Sequence, residues 1–110
     1  MSGYLTGWLG ESRAARYLKK QGMRVEARRF RGGRGEIDLV AREGSTLVFV
    51  EVKTREKGRL GDGAKAVDAD KRRRLRSAAQ AYLTAHPAQD VRFDVIEITA
   101  AGLRHIRGAL

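Results

Sequence analysis

The chain has 110 residues, 23 Lys and Arg against 13 Asp and Glu, and a formal net charge of +10, so it is sized for one domain and calls for a polyanionic partner, most simply nucleic acid. No apolar run approaches the ~20 residues of a bilayer span, and the start Met1-Ser2-Gly3-Tyr4 lacks the regions of a signal peptide, so a cytoplasmic protein is expected. With no cysteine there is no disulfide, thiolate zinc site or Cys nucleophile; His86 and His105 are the only histidines, so any metal must sit on oxygen ligands.

With 42% apolar and 33% charged residues, the composition is that of a folded globule, and nothing in it marks a linker, an internal repeat or a low-complexity tract. One continuous domain over residues 1–110 is expected. From about Thr6 to Gln21, Trp8, Leu9, Ala14, Ala15 and Leu18 recur at helical spacing, and Gly22 is a natural stop. Three β-like segments follow, roughly Arg24 to Phe30, Glu36 to Ala41 and Leu47 to Lys53, with a hairpin turn expected over Arg42 to Thr46. A glycine-rich loop, Gly58 to Gly63, precedes a second helix that begins at Asp68 or Asp70, which can cap it, and runs to Ala85, before Pro87. Leu75, Ala78, Ala79, Tyr82 and Leu83 form its apolar stripe, with arginines on the other faces. Val91 to Ile98 alternates as a half-buried strand, and Leu103 to Arg107 is a short final one. The order αβββαβ(β) predicts an α/β arrangement with an antiparallel hairpin at its centre.

The chemistry is concentrated in Gly35-Glu36-Ile37-Asp38-Leu39-Val40 and Phe49-Val50-Glu51-Val52-Lys53. Alternation sets Glu51 and Lys53 on one face and Val50 and Val52 on the other. A turn centred between Gly44 and Ser45 places Asp38 directly across from Glu51, with α-carbons about 5 Å apart, and Glu36 across from Lys53. Like charges so opposed are destabilising, and a cation between them removes the conflict. Asp38, Glu51 and a backbone carbonyl, that of Val52, with waters completing an octahedron, suit Mg²⁺. Lys53 beside them can orient or deprotonate a water. The alternative is that Lys53 simply pairs with Asp38, Glu51 or Glu36 at a solvated sheet edge.

Two helix residues point the same way. Glu11 shares a stripe with Trp8, Ala15 and Leu18, so it must be paired, protonated or turned toward the same cation; pairing with Arg16 or solvent near the helix start is the alternative. Lys71 shares one side of the second helix with Val67, Leu75, Ala78 and Tyr82, either reaching the site or snorkelling to solvent. Arg28, Arg29, Arg31, Arg34, Arg55, Lys71, Arg72, Arg73, Arg74 and Arg76 are the candidate phosphate contacts. Asp94, flanked by Phe93 and Val95, is expected on the solvated side of its strand, and the two histidines are expected to be structural or exposed.

Asp38 followed by Glu51-Val52-Lys53 resembles the Asp…(Asp/Glu)-x-Lys core of the PD-(D/E)xK nuclease superfamily. Gly10-Glu11, Tyr17-Leu18, Gly35 to Ala41, Val48 to Arg55, Lys71, Ala78 to Leu83 and Arg92 to Val95 together resemble the YraN family, small bacterial proteins similar to archaeal Holliday junction resolvases. The resemblance spans nearly the whole chain. It implies an α/β, restriction-endonuclease-like αβββαβ core with a central mixed sheet flanked by helices, Asp38 and Glu51 as metal ligands, Lys53 as the catalytic lysine and Glu11 as an accessory acid. It further implies Mg²⁺- or Mn²⁺-dependent cleavage of DNA, branched DNA in repair or recombination above all, with a homodimer to cut two strands and no organic cofactor. A non-catalytic nucleic-acid-binding module on the same fold is the second expectation. The chain departs from the pattern at two positions: Arg29 stands near an expected Asn, and Lys65 near an expected acid.

Overall fold

The computed structural model describes residues 3–55 and 69–110. The expected loop Gly58 to Gly63, together with Lys65, Val67, Asp68 and the side chain of Trp8, lies outside the described residues. The elements run α1 (Gly3–Lys20), β1 (Arg24–Gly32), β2 (Gly35–Glu43), β3 (Thr46–Thr54), α2 (Ala69–Ala85), β4 (Asp90–Thr99) and β5 (Gly102–Ile106). This is the expected order, with the short last strand present. Helix α1 ends in a left-handed Gly22 (φ 90°), with Met23 N donating to Leu18 O and Gly22 N to Lys19 O, a Schellman closure whose ends, Leu18 and Met23, both enter the core.

The five strands lie side by side in sequence order, β1-β2-β3-β4-β5. All neighbours are antiparallel except β3 and β4, which are parallel because α2 carries the chain across. Each face has its own core. Ala14, Ala15 and Leu18 of α1 pack on Leu39, Ala41, Val48, Val50, Ile96 and Ile98. Leu75, Ala78, Ala79 and Tyr82 of α2 pack on Ile37, Val40, Leu47 and Phe49. At about 25 cal/mol per Å² of apolar surface removed from water, these two layers supply the main favourable term for folding.

The hairpin register is the expected one: Glu43 pairs with Thr46, and the pairing continues to Leu39 opposite Val50. There the regular ladder ends, one step before Asp38 and Glu51. Strict alternation would place Ile37 and Leu39 on one face, yet Ile37 packs under α2 and Leu39 under α1, so β2 changes face at Asp38. On its other side, pairing with β1 runs from Arg28–Leu39 to Phe30–Ile37 and skips Arg29 and Asp38. Arg29 has a φ of 52°, the one non-glycine positive φ among the described residues. Asn adopts that conformation more readily than Arg, so the departure from the expected Asn falls where the backbone needs it most.

Asp94 corrects an expectation. It is fully buried on the α1 face, where Arg92 grips it with two hydrogen bonds (2.8 and 3.0 Å), His105 Nε2 lies 2.7 Å away, and Gly108 N donates at 3.0 Å. His105 also meets the Tyr17 hydroxyl at 3.2 Å, and Arg92 and Arg107 both reach Glu43, so this network ties the chain's last residues to the sheet and to α1. His86 is exposed and stacked on Tyr82.

Candidate active site

Where the β2–β3 ladder stops, side chains replace backbone pairing. Asp38 Oδ2 accepts the Val52 N–H at 2.8 Å, so the acid of one strand holds the main chain of the other. Glu51 is buried, with 6% of its surface exposed, and its Oε1 lies 2.5 Å from Lys71 Nζ and 3.4 Å from Lys53 Nζ. The Asp38 carboxyl lies near enough to Glu51 to feel its charge. Asp38, Glu51 and Lys53 therefore meet, and Lys71 reaches in from α2 instead of turning to solvent.

Charge is crowded here. Burial first, then the neighbouring charge of Glu51, pushes the Asp38 carboxyl up to about 7, against the opposing bond from Val52 N–H; Glu11 adds to the rise. Burial and the nearby Lys71 ammonium lower Lys53, with Glu51 working the other way. For Lys71 burial also works downward, but Glu51, Lys53 and Asp38 outweigh it and its proton is held more tightly than usual. An acid that keeps its proton beside an ammonium that sheds one more easily is a pairing common at catalytic centres.

Glu11, 8% exposed, takes the first of the three options its helix stripe left open: its Oε1 accepts from Arg29 Nε at 2.7 Å. It still lies near enough to raise Asp38. Gly10 lets α1 come this close, since a side chain there would strike Thr54 at the end of β3. Glu36 does not face Lys53 as expected. The face change at Asp38 carries it to the β1 side, where it is exposed opposite Arg31 and 3.3 Å from that guanidinium. Two acids and two lysines, with Glu11 nearby, make up the cluster.

The strands also bring in a residue the sequence reading did not single out. Glu97 is fully buried, and the parallel register makes it the β4 partner of Lys53. Alternation with Ile96 and Ile98, which pack under α1, turns Glu97 to the α2 face shared by Glu51 and Lys53. The available signal was an acid inside the apolar run Val95-Ile96-Glu97-Ile98.

Among the described residues no group of three or more Asp, Glu, His or Cys is placed to hold an ion. What the site offers is a pair of hard carboxylate donors beside the Val52 peptide, a set suited to a small divalent cation completed by water. Burial and the facing charge of Glu51 hold a proton on Asp38 to about 7, and a cation between the two acids would relieve their mutual repulsion. The donor set fits such an ion, and in the structure the Lys71 ammonium rests on Glu51.

The candidate phosphate contacts separate into groups. Arg31, Arg34, Lys71 and Arg74 line one cleft, and Arg72, Arg73 and Arg76 project from the exposed faces of α2. Arg28 donates to Ser12, and Arg55, half-buried, continues β3 by donating its N–H to Ile98 O. Arg29 is turned inward onto Glu11.

Comparison with known proteins agrees with the motifs. The profile of the family described as "Uncharacterised protein family UPF0102" matches residues 10–98. A UPF0102 protein of Dechloromonas aromatica is 46% identical over 99 residues, covering 90% of this chain and 82% of the relative. One of Rhodopseudomonas palustris (strain BisB18) is 47% identical over 113 residues, covering 99% and 82%. One of Shewanella amazonensis is 46% identical over 104 residues, covering 94% and 96%. With the expected sheet, helices and hairpin in place, the chain belongs to the UPF0102 family, the YraN family that its motifs resemble.

Proposed function

We propose that this chain is a metal-dependent endonuclease of the PD-(D/E)xK type that hydrolyses phosphodiesters of DNA, with branched or otherwise structured DNA as its substrate. The observation that carries the reading is the convergence of Asp38, Glu51 and Lys53 where the hairpin ladder gives way to side-chain contacts. Asp38 and Glu51 would hold Mg²⁺ or Mn²⁺, with the Val52 carbonyl as the main-chain ligand. The ion, when bound, polarises the phosphate and acidifies water. Lys53, its ammonium made easier to deprotonate by burial, orients the attacking water and takes its proton as the new P–O bond forms; the departing ester oxygen takes a proton from solvent. Glu11, fixed by Arg29, adds negative charge on the α1 side. The arginines of α2 and of the β1–β2 turn hold the backbone by charge alone, without regard to sequence. Two copies about a two-fold axis would serve the two strands of a junction.

A second reading has one observation in its favour. Lys71 already neutralises Glu51, as it would in a nucleic-acid-binding module that keeps the acids for structure. Incubating the protein with labelled linear, single-stranded, flap and four-way DNA in Mg²⁺, Mn²⁺ or EDTA separates the two. Cutting that needs metal, and that Lys53→Ala abolishes while binding persists, is the expected result. Binding with no cutting on any substrate, across a protein titration, supports the module.

A further inference from the structure

Beside the carboxylates lies a cleft of about 740 Å³ between the β1–β2 turn and the first turns of α2. The turn presses closely on the helix. A side chain at Gly35 would strike the Arg74 carbonyl, and Arg34 N donates to Ser77 Oγ at 3.0 Å. Among the described residues, Arg31, Arg34, Lys71 and Arg74 line the space against a single acid, Glu36, which is partnered by Arg31. Arg74 also reaches Asp70 at 2.7 Å. The Arg34 guanidinium makes no ion pair among the described residues and is exposed at the rim. Four cations around a volume in the range of small-ligand sites form a seat for an anion, and the backbone that approaches it is glycine-rich.

One side chain belongs to both places. Lys71 lines the cleft, and its ammonium rests on Glu51. We propose that the cleft seats a backbone phosphate of the nucleic acid and that Lys71 exchanges Glu51 for that phosphate, so that filling the cleft opens Glu51 to a divalent ion. This rests on the nuclease reading for the ion and on the cleft alone for the phosphate. A lysine is suited to such an exchange because it is a point charge on a flexible four-carbon stem. Without nucleic acid, an ion entering the site has to displace an ammonium from Glu51. With a phosphate in the cleft, the ammonium has a second anion to hold. Linkage then requires the effect to be mutual: whatever factor the phosphate adds to ion affinity, the ion adds to phosphate affinity.

Two measurements on the full chain test it. In EDTA, anisotropy of a labelled DNA strand of about 12 nucleotides should show the double variant Arg34→Ala/Arg74→Ala binding roughly ten-fold more weakly than wild type, with the salt slope lower by about 1.4. Arg13→Ala/Arg16→Ala, which removes the same charge from α1, should change binding by less than about two-fold. Equal losses in the two double variants would mean that net charge alone binds DNA, and would overturn the seat. The second measurement is Mn²⁺ affinity by calorimetry, with and without a phosphorothioate strand that resists hydrolysis. The strand should raise wild-type affinity roughly ten-fold, Lys71→Met should bind Mn²⁺ more tightly than wild type without DNA, and the gain from DNA should shrink to within about two-fold. Lys53→Met removes a charge beside Glu51 that does not line the cleft, and should keep the gain. Unchanged or weaker Mn²⁺ binding in Lys71→Met, or a gain that survives there, would overturn the exchange. If both effects appear and no substrate is cut, the nuclease reading fails and the phosphate seat stands.

Discussion

Asp38→Asn is expected to stabilise the protein at high pH while removing its function. In the folded chain the Asp38 carboxyl holds its proton up to about 7, against 3.8 for an ordinary aspartate, because it is buried and faces Glu51. The folded state therefore binds more protons than the unfolded state between those values. Stability falls as pH rises through that window, and the deficit is complete above about 7. Each tenfold change in proton affinity is worth about 1.4 kcal/mol, which gives an upper figure of about 4 kcal/mol. Asp38 is only partly shielded from water, so about 2 kcal/mol is the reasonable expectation. An asparagine removes the charge and keeps an oxygen for the Val52 N–H. Urea denaturation in EDTA should show Asp38→Asn about 2 kcal/mol more stable than wild type near pH 8, with the gap closing below about pH 4. A variant equally or less stable at pH 8 would refute the claim that crowded negative charge burdens this site. Excess Mg²⁺ should recover stability in the wild type alone.

Other consequences can be checked individually. Lys53→Met should lower cleavage at least ~100-fold while leaving the thermal midpoint close to wild type, read by single-turnover assay and calorimetry; retained cleavage would remove Lys53 from the chemistry. Asp94→Asn leaves Arg92 without its buried counter-charge and should cost about 3–5 kcal/mol in urea denaturation; a loss under ~1 kcal/mol would contradict the network. Although burial works against it, the bonds from His105, Arg92 and Gly108 hold Asp94 at about 2 against 3.8. Its contribution should therefore be full above about 3.8 and fade as pH falls toward 2. Arg29→Gly and Arg29→Ala both lose the Glu11 pair, so their difference isolates the backbone. With φ at 52°, the glycine variant should be more stable by about 1 kcal/mol, and equal stabilities would show that the left-handed turn is absent.

Local signals located most of the fold. Apolar spacing placed both helices, and the turn at Gly44-Ser45 fixed a register that holds from Glu43–Thr46 to Leu39–Val50. That register was enough to bring Asp38 toward Glu51. It failed two residues beyond, at Glu36, because pairing arithmetic assumes an unbroken pleat and β2 changes face at Asp38. The left-handed Arg29 opposite it is a backbone state that arginine itself does not announce. Asp94 and Glu97 were missed for a related reason. An acid in an alternating strand reads as solvent-facing until other parts of the chain cover it, as Arg92, His105 and Gly108 cover Asp94; Glu97 is buried on the sheet face it shares with Lys53. Lys71 was legible as a residue on the right side of its helix, but its choice between Glu51 and solvent depended on where α2 docks.

Diffraction at the manganese edge from crystals soaked in Mn²⁺ puts the account to its most direct trial. The expected result is one anomalous peak within coordination distance of carboxylate oxygens of both Asp38 and Glu51, with the Lys71 ammonium moved off Glu51 toward the cleft. Saturating Mn²⁺ with no peak between the two acids, and Lys71 still seated on Glu51, would contradict it.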